Sequence, residues 1–427
     1  MLDDAGTFRQ QSGEKAPSCV PTRTLLAYGF PFSQRGGKEM KVEPILWAGP
    51  FTDPTGDGEE ARALLVACER SGLPIACEEW PGMRETVQLS TYQHLVWRKA
   101  RERVPKEPYV NVWHKTPPQI MRAALSGVGP TVIRTMFETD AVPAYWLPGL
   151  SRVDEVWVPS HFNYETFAAG GVPREKLRIL PQTLDFSLFD PEVTEPLARP
   201  QAARRFCFLS VLEFASCKGW DILIDSWCRA FAPDDDVCLI LKTTRHLETS
   251  AAVEDDLERY IAGRACAPII YDTRTLPQAE MPRLYAACDA YVIPSRGEGW
   301  GRSYMEALAM GLPTIASHWG GSMEFATEDI CFLAQGEVRP VPLREPERRF
   351  RGMRWFEPDK EHLTELLQTV FRGGDKVEEK RARSRERLLS RFSEQKVAEQ
   401  AVALANESVA HWSTPRRPRR YFEARNT

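Results

Sequence analysis

Two stretches of this chain alternate short, continuously apolar runs with helical patterns, and a proline-bearing segment divides them. In the first stretch the runs stand near Ile45–Ala48, Tyr109–Trp113, Thr131–Thr135, Glu155–Pro159 and Leu177–Pro181. In the second they stand near Phe206–Val211, Val237–Lys242, Pro268–Tyr271, Ala290–Ile293 and Thr314–Ala316. A run apolar at successive positions is buried on both faces, which a parallel sheet under crossover helices provides. The helical patterns between the runs, such as Trp220–Phe231, Val253–Gly263 and Glu280–Cys288, supply those crossovers. The segment Asp185–Arg204 contains Pro191, Pro196 and Pro200 and has no periodicity, so it reads as a linker. A length of 427 residues accommodates two such units. The expected division is a disordered lead over 1–22, an N-terminal Rossmann-like domain over 23–190 and a linker over 191–204. A C-terminal Rossmann-like domain over 205–385, a closing helix over 386–411 and a basic tail over 412–427 follow. Residues 335–353, rich in Arg, Pro and Glu, read as an insertion loop, and helices are expected over Lys360–Phe371 and Val377–Asn406.

The run Ala290–Pro294 leads directly into Ser295-Arg-Gly-Glu-Gly-Trp-Gly301 and then an amphipathic helix over Arg302–Met310. Gly297, Gly299 and Gly301 therefore lie in a strand-to-helix turn. Such a turn leaves backbone N–H groups at the positive end of a helix, where a phosphate docks. Glu298 in the loop and Glu306 one turn into the helix bracket that position. A phosphate cradle between two hydroxyl-seeking carboxylates suits a sugar nucleotide, with ribose on one side of its diphosphate and a sugar on the other. A tight αβ connection alone would need the glycines but not the paired carboxylates.

The spacing of Glu298 and Glu306 resembles the paired-glutamate motif of the family-4 retaining glycosyltransferases. Similar patterns run from near Trp47 to near Val409: Arg134-Thr-Met-Phe-Glu-Thr-Asp140, Asp154-Glu-Val-Trp-Val-Pro-Ser160, Phe208-Leu-Ser-Val211 with Lys218-Gly-Trp-Asp221, and Arg354-Trp-Phe-Glu-Pro358. The resemblance implies an α/β protein of GT-B fold, two Rossmann-like doubly wound domains facing each other across a cleft, with the last helix crossing back to the N-terminal domain. It implies a hexosyltransferase that moves a hexose, with retention, from a UDP- or GDP-sugar to a carbohydrate, lipid-linked or small-molecule acceptor. No permanently bound cofactor or metal is implied, and no Asp-x-Asp pair follows an N-terminal strand.

By the same resemblance Glu306 holds the ribose, Glu298 the donor-sugar hydroxyls, and the backbone of Gly299, Trp300 and Gly301 the distal phosphate. Lys218 supplies positive charge to the diphosphate, with Arg302 nearby, and the backbone near Thr275 and Leu276 meets the base. The favoured family mechanism is front-face displacement, in which the leaving phosphate takes the acceptor proton. Glu298 is then no nucleophile, unlike the carboxylates of glycoside hydrolases. One position departs from the pattern. The family usually carries a basic residue five places before the lysine, and Glu213 stands there. A desolvated carboxylate would repel a diphosphate by roughly a few kcal/mol, unless Glu213 points away, pairs with Lys218, or is offset by Arg302 or Arg245. The alternative is therefore a nucleotide-binding but catalytically weak GT-B partner subunit. A phosphorylase or epimerase on the same fold is a further rival.

In the first unit, Gly56 and Gly58 in Thr55-Gly-Asp-Gly58 resemble the family's glycine loop near donor and acceptor. The other reading is a plain helix start with Asp57 near the cap. His114 ends a strand and is expected to face the cleft as a catalytic or acceptor-side group. Arg134, Glu138 and Asp140, after the next strand, either orient the acceptor or form ion pairs. His318-Trp-Gly-Gly321 is expected near the donor sugar.

Composition narrows the remaining classes. A net charge of -4 is unlike that of a nucleic-acid binder. The ten cysteines show no C-x-x-C pair or zinc spacing and read as buried thiols in a reducing compartment. No apolar run approaches the roughly 20 residues of a membrane span, and the N-terminus lacks the pattern of a signal peptide. The expectation is a cytoplasmic protein. Arg98-Lys-Ala-Arg-Glu-Arg103 and Arg416–Arg420 are open to peripheral contact with the inner face of a membrane, against a solvated helix face and a loose tail.

Overall fold

The computed structural model describes residues 45–80, 87–105, 107–121, 128–243, 257–342 and 350–412. These belong to one compact unit. The expected lead over 1–22, Arg245, most of the tail, and part of the helix expected over Val253–Gly263 lie outside them.

The N-terminal half runs β1 (Ile45–Gly49), α1 (Gly56–Arg70), β2 (Ala76–Glu79), α2 (Thr91–Glu102), β3 (Val110–His114), α3 (Pro117–Ile120), β4 (Thr131–Arg134), α4 (Leu147–Arg152), β5 (Glu155–Val158), α5 (His161–Ala169) and β6 (Leu177–Ile179). Its six strands form a sheet in the order β2-β1-β3-β4-β5-β6, and every pairing is parallel. The C-terminal half continues with β7 (Phe206–Val211), α6 (Trp220–Ala230), β8 (Val237–Lys242), β9 (Ile269–Asp272), α7 (Met281–Ala286), β10 (Ala290–Ile293), α8 (Arg302–Ala309), β11 (Thr314–Ser317) and β12 (Cys331–Ala334). Its sheet is also six-stranded, in the order β12-β11-β10-β7-β8-β9, and wholly parallel. The chain then makes the antiparallel pair β13 (Gly336–Pro340) and β14 (Arg354–Pro358), followed by α9 (Lys360–Arg372), α10 (Asp375–Phe392) and α11 (Glu394–His411).

The apolar runs form strands for the reason expected. Val237–Lys242 and Thr131–Arg134 are buried at every position, because helices cover both faces of their sheets. The sequence reading missed β2 and β12. The sequence of β2, Ala76-Cys-Glu-Glu79, lacks an apolar run; its Glu79 carboxylate instead accepts from Thr52 and the Trp97 indole. The residues read as an insertion loop, 335–353, contain β13 and stop immediately before its partner β14.

The helix expected over Val377–Asn406 is two helices, divided at Ser393, whose φ of -56° and ψ of 151° are extended. The break redirects the apolar face. Leu388 and Phe392 of α10 pack in the C-terminal core. Val397, Ala398, Ala401, Val402 and Ala405 of α11 pack against Leu64, Leu65 and Cys68 of α1 in the N-terminal core. The chain thus crosses back at Ser393. Among the described residues no helix is long and apolar enough to cross a membrane.

Each sheet has a switch point where strand order reverses: β1/β3 in the first, β7/β10 in the second. Ligands in such sheets bind beyond the carboxyl ends of the strands at this point. The loops after β1, β3, β7 and β10 are therefore the ones to inspect: Gly56 and His114 border the first two, and Lys218 and Glu298 lie in the last two.

Candidate active site

The turn after β10 is shaped by close backbone approach. Gly301 caps α8 in the left-handed region, at φ 88°. A Cβ on Gly321 would lie 1.8 Å from the Gly299 carbonyl oxygen, and one on Gly297 would lie 2.1 Å from that of Glu138. The loop is thus pressed between its own neighbour and the N-terminal half. Among the described residues the N–H groups of Gly299, Trp300, Gly301, Arg302 and Ser303 find no acceptor. These donors converge on the positive end of α8, the geometry that binds an anion. Trp300 itself is buried against Phe325 and Phe392, so its side chain fixes the loop.

Lys218 lies after β7, in a turn closed by Gly219 at φ 65°. Its Nζ donates to both Glu298 oxygens, at 2.8 and 2.9 Å. Burial works against the Lys218 charge, but the Glu298 carboxylate more than offsets it and holds the ammonium well above its usual range. An ammonium has three donors, so one remains for a phosphate oxygen. Glu306 is buried one turn into α8. Its Oε2 accepts from the Tyr285 hydroxyl at 2.8 Å, and its Oε1 lies 3.5 Å from Arg302 Nε. Burial pushes its carboxyl up to about 7; Arg302 opposes the rise and Glu59 adds to it.

Residues 203–339 match the family described as glycosyl transferases group 1. The structure aligns with that of Anabaena HepE in complex with UDP-glucose at a TM-score of 0.59 and 16% identity, covering 86% of this chain and 99% of that one. Sucrose-phosphate synthase from Thermosynechococcus elongatus aligns at a TM-score of 0.55 and 16% identity, covering 86% and 99%. The chain has the GT-B fold, and the family match covers residues 203–339 of its C-terminal half. Among curated relatives, the GDP-mannose-dependent alpha-(1-6)-phosphatidylinositol monomannoside mannosyltransferase of Mycolicibacterium smegmatis is 28% identical over 229 residues. Mannosylfructose-phosphate synthase of Agrobacterium fabrum is 25% identical over 158 residues. The matched segments cover 47% and 35% of this chain, and only 57% and 34% of those relatives' own lengths.

In the GT-B cleft the remaining site candidates fall into three groups. The first surrounds Glu60, which sequence reasoning missed. Arg134 Nε donates to Glu60 at 2.5 Å, Gln182 Nε2 at 2.7 Å, and His114 Nε2 lies 3.5 Å away. All four side chains are buried. Burial alone would raise the Glu60 carboxyl, but Arg134 and His114 bring it down to about 2. Arg134 also donates to the Leu180 carbonyl, which braces the sheet. His114 keeps a buried Nδ1 with no partner among the described residues. Asp57, Glu60 and His114 bring ligand atoms within 4.8 Å of one another, the kind of set that could hold a metal ion. Both Glu60 oxygens already accept from Arg134 and Gln182, however, and a guanidinium so near would repel a cation.

The second group is the loop after β1. Gly58 is required there, since a Cβ would lie 2.1 Å from the Asp53 carbonyl oxygen, whereas one on Gly56 would meet nothing. Beside Gly58, Glu59 accepts from Gln278 Nε2 at 2.6 Å across the cleft, close to Leu276. The third group lies on the seam between the halves. Glu138 meets Gly297, and Asp140 exchanges backbone and side-chain hydrogen bonds with Arg354. Glu213 is exposed, and its side chain has no partner among the described residues; Lys218 pairs with Glu298 instead. Trp319 sits edge-on to Phe162 of α5, beside the Gly320–Gly321 turn. Glu60, Gln182 and Tyr285 carry no local motif and enter the site only through folding.

Proposed function

We propose that the chain transfers a hexosyl group, with retention of configuration, from a nucleoside diphosphate sugar to an acceptor hydroxyl. The observation that carries this reading is the open row of N–H donors at α8, flanked by Lys218, Glu298 and Glu306. The diphosphate would seat on the N–H row and on the free Lys218 donor, which stabilise the charge that builds on it. Glu306 would accept from the ribose hydroxyls and Glu298 from the sugar. The acceptor oxygen attacks the anomeric carbon as the bond to phosphate breaks. The electron pair goes to the phosphate oxygen, which then takes the acceptor proton. His114, at the end of β3, would line the acceptor side.

The mannosyltransferase relative is GDP-mannose-dependent and the HepE structure holds UDP-glucose, so UDP- and GDP-sugars are the donors to test first. On α2, Tyr92 and Leu95 are exposed beside Arg98 and Lys99. That surface suits peripheral contact with anionic lipid and hence a lipid-linked acceptor.

The test is release of nucleoside diphosphate from UDP-, GDP- and ADP-sugars by the wild type and by Glu306→Gln. Turnover of one donor by the wild type, reduced at least ~100-fold in the variant, supports the reading. Equal rates in both would sink it. The exposed Glu213 favours a second reading, a partner subunit that binds nucleotide without turnover. Activity that appears only in Glu213→Lys would select that one.

A further inference from the structure

Lys242 ends β8 and is only 2% exposed, yet no carboxylate oxygen accepts from it among the described residues. Its Nζ instead donates to the backbone carbonyls of Thr243 at 2.7 Å, Arg274 at 2.5 Å and Asp272 at 3.4 Å. Two of these belong to the turn that leaves β9, where Asp272 pairs in register with Lys242. The same turn is braced from outside by Arg274, whose Nη2 donates to the Asp272 carboxylate at 2.7 Å. Burial lowers the Lys242 ammonium to about 8; the Asp272 charge opposes the drop and Arg274 adds to it. A buried lysine that serves only to cross-link backbone is an expensive device unless the path of that backbone matters.

The path leads into the cleft. Beyond the turn, Gln278 reaches across to Glu59 and donates its N–H to the Gln88 carbonyl at 3.4 Å. Glu59 is also one of the charges acting on Glu306, and Leu276 packs in the same core cluster as Tyr285, whose hydroxyl donates to Glu306. Between the two anchors, the backbone N–H and C=O of Thr275 and Leu276 have no hydrogen-bond partner among the described residues, although the Leu276 side chain is buried. Backbone groups held next to a ribose site with free donors and acceptors can pair with the edge of a base.

We infer that Lys242 is the positioning residue for base recognition: by gathering the carbonyls of residues 243, 272 and 274 it sets where the Thr275–Leu276 backbone meets the nucleobase. The inference rests on the donor reading above. It makes base preference a property of a residue that does not touch the nucleotide. The chemistry depends on three donors diverging from one nitrogen. An arginine keeps the charge but spreads its donors in a plane, so it should not reproduce the turn.

The experiment measures Kd for UDP, GDP and ADP by calorimetry on the full chain and on Lys242→Met and Lys242→Arg. The wild type should prefer one base by about tenfold or more. Both variants should compress that ratio to within roughly threefold. A purely structural role would lower the melting temperature and weaken all three nucleotides by the same factor, leaving the ratio intact. A preserved ratio, or a wild type with no base preference, overturns the role of Lys242. Hydrogen exchange on the wild type covers the case in which neither variant folds. The Thr275 and Leu276 amides should slow when the preferred nucleotide binds, and unchanged exchange overturns the inference. A wild type that binds none of the three overturns the donor reading itself.

Discussion

At Glu306 a single carboxyl group links proton binding to stability and, on the proposed reading, to donor affinity. Its folded-state value of about 7 is raised from an ordinary 4.5 by burial. The native state therefore favours the protonated form. Its contribution to stability is fully present below the ordinary value and is lost as pH rises through about 7. On the proposed reading the ribose hydroxyls need the ionised form as acceptor, so donor binding should follow the opposite trend. Affinity for UDP or GDP, measured between pH 5.5 and 8, should rise by about tenfold in the wild type. It should stay flat in Glu306→Gln, and a wild-type profile that is equally flat would refute the link. Glu60 behaves in the opposite sense. Its value of about 2 means that its stabilising effect is present above the ordinary carboxylate range and is lost as pH falls towards 2. Glu60→Gln would leave Arg134 charged, buried and without its carboxylate. Denaturant unfolding should show a loss of roughly 3–5 kcal/mol.

Among the elements, α8 and its entry turn tie local sequence most directly to the site. The two glycine positions Gly56 and Gly321 make a matched pair for testing this. A Cβ on Gly321 would collide with the Gly299 carbonyl oxygen, whereas one on Gly56 would touch nothing. Gly321→Ala should displace the turn that presents the N–H row and weaken nucleoside diphosphate binding by about tenfold or more, at a stability cost of about 1–3 kcal/mol. Gly56→Ala should match the wild type within about 0.5 kcal/mol in both measurements. Equal effects would mean that the α8 turn is not the anion site. This contrast also marks what was legible beforehand. Gly297 to Glu306 is contiguous, so its spacing could be read from one segment, and long apolar strands such as β8 declared themselves by composition. The Glu60 group could not be read that way, because Glu60, His114, Arg134 and Gln182 come from four separate segments and meet only in the folded sheet. Likewise β2 ends in two glutamates, and the break at Ser393 sits inside a sequence whose helical periodicity continues on both sides.

For the molecule as a whole, α11 decides whether the two halves act as one body. It lies on the N-terminal half but is reached through α10, which belongs to the C-terminal core. Its buried face packs on α1, Ser408 donates to Glu155 of β5 at 2.7 Å, and Gln400 donates to the Ile179 carbonyl of β6 at 2.9 Å. At its start Glu394 joins Asp185 on the Arg70 guanidinium, each at 2.7 Å, which pins the linker and the crossing to the end of α1. The crossing therefore limits how far the cleft can open without unfolding anything, and Ser393 is the one extended residue between two long helices, the natural pivot. Ala401→Asp would place a carboxylate against the α1 surface, where Ala401 is 1% exposed. An unpaired charge there should cost at least ~3 kcal/mol. The expected result is release of α11 and rapid proteolytic cleavage near Ser393, with the C-terminal half still binding nucleoside diphosphate through α8. Ala403→Asp, on the exposed face of the same helix, should leave both protease resistance and binding unchanged. If Ala401→Asp is as resistant to protease as Ala403→Asp, the helix does not hold the halves together. If it loses nucleotide binding along with α11, the donor site needs both halves and is not carried by the C-terminal sheet alone.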